Sequence, residues 1–175
     1  MWRFTGLPTI TDANLIGLES LYTNGGVLEN IAPPAQSVLG TFKNRMFVVS
    51  SEEPQVLYYS KQRLGDQAIE FNDSFKITVN EAKSITGIQQ MDEKLILFED
   101  NRIFSLTGNG PTPTGNNNDF SDAQLITSDA GCTDPRSIVL IPQGILFKSA
   151  KGIYLLNRSL ETVYIGAPVE RYNSN

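Results

Sequence analysis

The sequence predicts an all-β chain, propeller-like, built of repeated four-stranded antiparallel blades: about three full blades plus a partial N-terminal one. Three observations predict it. Lys94–Gly108, KLILFEDNRIFSLTG, reads as two short strands joined at Glu99-Asp100-Asn101, polar residues that tolerate tight or left-handed backbone. The pattern recurs in Arg45–Lys61, RMFVVSSEEPQVLYYSK, and in Gly144–Arg158, GILFKSAKGIYLLNR, so hairpins begin at 45, 94 and 144, in steps of 49 and 50 residues. A fixed period near 50 made of short strands is the signature of repeated blades. Aromatics recur too: Phe47, Phe98 and Phe147 are expected at matching positions of the second strands, and Tyr58, Phe104 and Tyr154 in the third. They read as core, because a lone four-stranded sheet buries its apolar face only against the next one, at about 25 cal/mol per Å² of apolar area.

Residues 1–36 are expected to supply a partial blade. Leu15–Leu21 is apolar, Asn24-Gly25-Gly26 between Leu21–Thr23 and Val27-Leu28 reads as a hairpin, and Pro33-Pro34 breaks regular structure. Residues 37–175 carry the repeats, as units 37–80, 85–131 and 135–172 of one domain. The first unit has strands at Ser37–Leu39, Arg45–Ser50, Val56–Ser60 and Phe75–Val79, the last alternating apolar with polar. The second opens at Ile85–Gln89 and closes at Gln124–Ser128, after a Gly-, Pro- and Asn-rich loop at Gly108–Asp119. The third runs from Ser137–Ile141 to Thr162–Ile165. Short helical pieces are expected only near Asp12–Leu18 or Pro168–Tyr172. Three units are fewer than the roughly 4–8 blades of a closed ring, which favours part of a longer chain over self-assembly or a fourth blade from residues 1–36.

Composition narrows function. A net charge of −5 with no Lys/Arg cluster argues against sequence-specific nucleic-acid binding. No apolar run suggests membrane insertion, and no signal peptide is evident in MWRFTGLPTITD, so synthesis in a cytoplasm is expected. The single Cys132 permits no intrachain disulfide. The absence of His removes Ser-His-Asp, Cys-His and HExxH machinery.

Several segments together resemble a known family. They are KLILFEDNRIFSLTG, then Ile126–Leu156 (ITSDAGCTDPRSIVLIPQGILFKSAKGIYLL), then Val163–Tyr172 (VYIGAPVERY), preceded by NRMFVVSS, VLYYSK and Pro33-Pro34. Their order over roughly residues 21–172 resembles the propeller region of short-tailed bacteriophage tail nozzle, or phage stabilisation-type tail accessory, proteins. The resemblance implies a non-catalytic structural component of the virion tail, made in the host bacterial cytoplasm. Its implied setting is the end of the DNA channel, and its implied partners are copies of itself or other tail and portal proteins. It implies no catalytic, cofactor-binding or metal-binding residue. The alternative is a carbohydrate-binding or glycoside-hydrolysing β-propeller.

Four stretches carry candidate chemistry. Cys132 in Asp129–Ser137 reads either as a thiol activated by Arg136 or, as favoured, as a small buried residue in a crossover, with Gly131 in a conformation other residues avoid and Asp134-Pro135 in a turn. Asn116–Asp122 spaces oxygens as calcium loops do, but lacks the glycine and distal Glu, so a solvated loop is favoured. Gly108–Gly115 lacks the Gly-Lys-Ser/Thr of a phosphate cradle. The length of Gly108–Asp119 suggests contact with a neighbouring subunit. Glu52-Glu53, Asp92-Glu93 and Glu99-Asp100 fall in expected turns as solvated charge, so no facing acid pair for glycoside hydrolysis is marked.

Overall fold

The computed structural model describes residues 25–172. The chain forms three four-stranded antiparallel sheets, each with its strands in chain order. The first sheet is β1 (Gln36–Phe42), β2 (Arg45–Ser50), β3 (Val56–Ser60) and β4 (Phe71–Thr78). The second is β5 (Gly87–Met91), β6 (Lys94–Phe98), β7 (Ile103–Thr107) and β8 (Gln124–Thr127). The third is β9 (Val139–Ile141), β10 (Gly144–Ser149), β11 (Gly152–Asn157) and β12 (Thr162–Tyr164). Helix is confined to short 3₁₀ turns at Pro135–Ser137 and Ala167–Tyr172 among the described residues. The second strands open at the residues from which the repeat was counted, Arg45, Lys94 and Gly144.

Alternation of side chains across a strand lets the second sheet use both faces. Leu95 and Leu97 enter one core with Phe47, Val49, Leu57 and Tyr59 of the first sheet. Ile96 and Phe98 enter another with Ile145, Phe147 and Leu156 of the third. The first and second sheets therefore each turn one face, here called forward, to the next. The first strands of the first two sheets each approach the following unit closely. A Cβ on Gly40 of β1 would stand 2.8 Å from Ile88 Cγ2, and one on Gly87 of β5 2.3 Å from Ile138 Cδ1.

Cross-strand register separates the two aromatic repeats. Tyr58, Phe104 and Tyr154 are equivalent, pairing with Val48, Leu97 and Phe147 at the fourth position of β2, β6 and β10. Phe47, Phe98 and Phe147 are not equivalent: they stand third, fifth and fourth in their strands. All three are buried, but Phe47 and Phe98 face forward while Phe147 faces back onto Phe98, with ring centroids 5.2 Å apart. A shift of one residue moves a side chain to the opposite face, so matching by residue type alone misplaced Phe147.

Other boundaries moved as well. β1 and β4 are longer than the expected Ser37–Leu39 and Phe75–Val79, β5 begins at Gly87 rather than Ile85, and Ser137 ends a 3₁₀ turn rather than opening a strand. Val27-Leu28 is not a strand; Leu28 packs against the first core and its N–H donates to Pro113 O at 3.1 Å. Ile31 adds one bridge to Phe71. The strands expected before Asn24 and the helix near Asp12–Leu18 lie outside the described residues.

Candidate functional site

A cavity of about 660 Å³ lies between the first two sheets. Its walls are the β1–β2 turn (Thr41–Met46), the β3–β4 connection (Arg63, Gly65, Ile69) and the end of β5 with its turn (Gln90, Glu93). The β1–β2 turn is tight because Lys43 and Asn44 both take positive φ, 50° and 59°, the twist that suits a two-residue hairpin. Lys43 pairs with Glu93 across the mouth.

Arg45, the first residue of β2, lines the cavity and is only 3% exposed. Its Nε donates to Asn109 O and its Nη1 to Ser60 O, both at 3.0 Å, and its Nη2 donates to Pro111 O. The guanidinium carbon sits 5.9 Å from the Tyr59 ring centroid and 6.0 Å from that of Phe120. Burial pulls the Arg45 guanidinium below its ordinary pKa, while Tyr59 and Asp119 pull it the other way. Burial likewise pushes the Tyr59 hydroxyl up, partly opposed by Arg45.

Arg45 thus pins the β7–β8 loop, residues 108–123, onto the first sheet. Phe120 of that loop meets Phe47 and Tyr59 edge-on, at 5.8 and 5.0 Å. Asp119, in the stretch with calcium-like spacing, turns its carboxylate inward to its own loop: Oδ1 accepts from Asn109 N and Gly110 N, both at 2.7 Å. These backbone donors, Asn109 first, hold its carboxyl below the usual range. The loop is thus tied to the first sheet of its own chain. No group of three or more His, Cys, Asp or Glu is placed to hold a metal ion among the described residues.

The Cys132 segment is a crossover between the second and third sheets. Cys132 is fully buried; its Sγ donates to Asp134 O at 3.1 Å, and burial pushes its thiol pKa up. Arg136 does not activate it. That guanidinium is exposed and forks onto the Asp134 carboxylate at 3.0 and 3.1 Å. Gly131 is required by space and not by φ: a Cβ there would lie 2.1 Å from Glu99 O and 2.5 Å from Asn101 N. Cys132 is therefore expected to resist iodoacetamide in the folded chain and to alkylate at the rate of a free thiol in denaturant, read by mass spectrometry.

The paired acids also separate. Glu52 and Glu53 are exposed between β2 and β3, and Asp92-Glu93 forms the β5–β6 turn. Asp92 accepts from Arg158, and so links the turns of the second and third sheets. Glu99 is not solvated as expected, being 3% exposed. Its Oε1 accepts from the backbone N–H groups of Lys83 and Ser84, the latter at 3.0 Å, and Arg102 Nε lies 3.8 Å from Oε2. Those donors belong to the preceding crossover, which no local sequence signal connects to this turn. The carboxylate is committed to structure.

No protein-family model matches the chain, and no curated protein is significantly similar to it. Neither comparison identifies a phage tail protein. No helix among the described residues is long and apolar enough to cross a membrane.

Proposed function

We propose that each four-stranded sheet is one blade of a β-propeller, and that the chain is a non-catalytic structural component of a bacteriophage tail. It would act at the nozzle or channel end, with copies of itself or other tail and portal proteins as partners. One observation carries the assembly reading: the forward face of the third sheet has an apolar row that no other sheet among the described residues covers. Val139, Leu146, Leu155 and Val163 form a cross-strand row on it, with Val139 50% and Val163 46% exposed. The corresponding faces of the first and second sheets are closed by the next sheet. The close approach of Gly40 on β1 to Ile88 on β5 suits first strands converging on an axis. The tail assignment itself rests on the order of the resembling segments.

The occupant of the open face is another copy, docked through a head-to-tail contact that generates rings or filaments. Light scattering with electron microscopy tests this. Oligomers of the chain are expected, and Leu155→Asp should yield monomers with an unchanged circular dichroism spectrum. A wild-type monomer at high concentration would overturn the assembly reading, and absence of the chain from purified virions by mass spectrometry would overturn the tail assignment.

A further inference from the structure

The lining of the cavity beside Arg45 carries more cations than carboxylates. It holds three cations, Lys43, Arg45 and Arg63, and one carboxylate, Glu93. Glu93 is already paired with Lys43. Arg45 is buried, and its hydrogen-bond acceptors are the carbonyls of Ser60, Asn109 and Pro111, with the Asp119 carboxylate acting on it only through space. Buried charge is ordinarily paired. Arg63 adds a second cation, exposed, whose Nε donates to Gln67 O at 3.0 Å. Two cations thus face one cavity in a chain whose net charge is −5.

The rest of the lining narrows the ligand. At about 660 Å³ the cavity has the size of a small-molecule site and far exceeds one inorganic anion. Phe42, its aromatic wall residue, is fully buried, so no aromatic face is offered to a nucleobase. Thr41, Asn44 and Gln90 offer hydroxyl and amide groups, and Ile69, 45% exposed, offers a small apolar surface. Polar groups beside a small apolar patch suit a sugar ring.

We infer that this cavity binds an acidic saccharide, its anionic group placed against Arg45 and Arg63 and its hydroxyls against Thr41, Asn44 and Gln90. The inference stands apart from the tail assignment, because it requires neither assembly nor a ring. Proton–nitrogen correlation spectra, titrated at constant ionic strength with glucuronate, glucose and inorganic phosphate, test it. Glucuronate is expected to shift the amides of Thr41–Met46 and Gln90–Glu93 saturably, binding about tenfold more tightly than either glucose or phosphate. Arg63→Ala, an exposed change that leaves both cores intact, should weaken glucuronate about tenfold. Equal binding of glucose, or of phosphate, would overturn the acidic-saccharide assignment. So would the lack of a saturable shift, or an affinity unchanged by Arg63→Ala.

Discussion

Phe98→Ala is expected to destabilise the chain by about 3–5 kcal/mol, the cost of removing a large aromatic from a closed core. Phe98 is fully buried on the forward face of the second sheet, against Phe147, in a core completed by Ile103, Ile145 and Leu156. Relaxation cannot readily fill the gap, since strands of two sheets line it. Leu146→Ala is the matched control. Leu146 stands third in β10, where Phe47 and Ile96 stand in β2 and β6, yet it is only half-buried because no described sheet covers it. Its loss is expected to cost about 1 kcal/mol or less. Urea unfolding of both changes in the monomeric Leu155→Asp background reads the difference. Equal costs there would mean that the stacking of the second and third sheets is wrong.

Arg45→Met should cost about 2–4 kcal/mol and act first on one loop. Methionine keeps much of the apolar volume between Tyr59 and Phe120 but donates nothing, so the carbonyls of Ser60, Asn109 and Pro111 lose a charged donor. Each such bond contributes about 1.5–3 kcal/mol, offset in part where water reaches the loop carbonyls. Hydrogen exchange checks the mechanism. Amides of residues 108–123 should exchange much faster in the variant, while those of β10 and β11 stay protected. Uniform acceleration would show that Arg45 stabilises the whole stack rather than its loop.

Several features were legible without coordinates because their causes are local. Apolar runs broken by Lys43-Asn44, Ser51–Pro54 and Asp92-Glu93 give strand, turn and strand, and the count from Arg45 to Lys94 to Gly144 repeats them. Counting from those hairpin starts would also have shown that Phe147 falls one position off Phe98 in parity. The sequence favoured Cys132 as a small buried crossover residue, and the structure supplies the deciding fact, the engagement of Arg136 by Asp134.

What only the tertiary structure decided involves groups distant in sequence. Arg45 meets Asn109 and Pro111 across 64 and 66 residues, and Glu99 meets Lys83 and Ser84 across 16 and 15. Nothing in the neighbours of Arg45 distinguishes it from a solvated strand-end arginine, and nothing beside Glu99 distinguishes it from an exposed turn acid. Strand pairing within a sheet follows from the alternation written along each strand. The partner of a buried charge is fixed only when the sheets stack, because it is stacking that removes the water which would otherwise have solvated it.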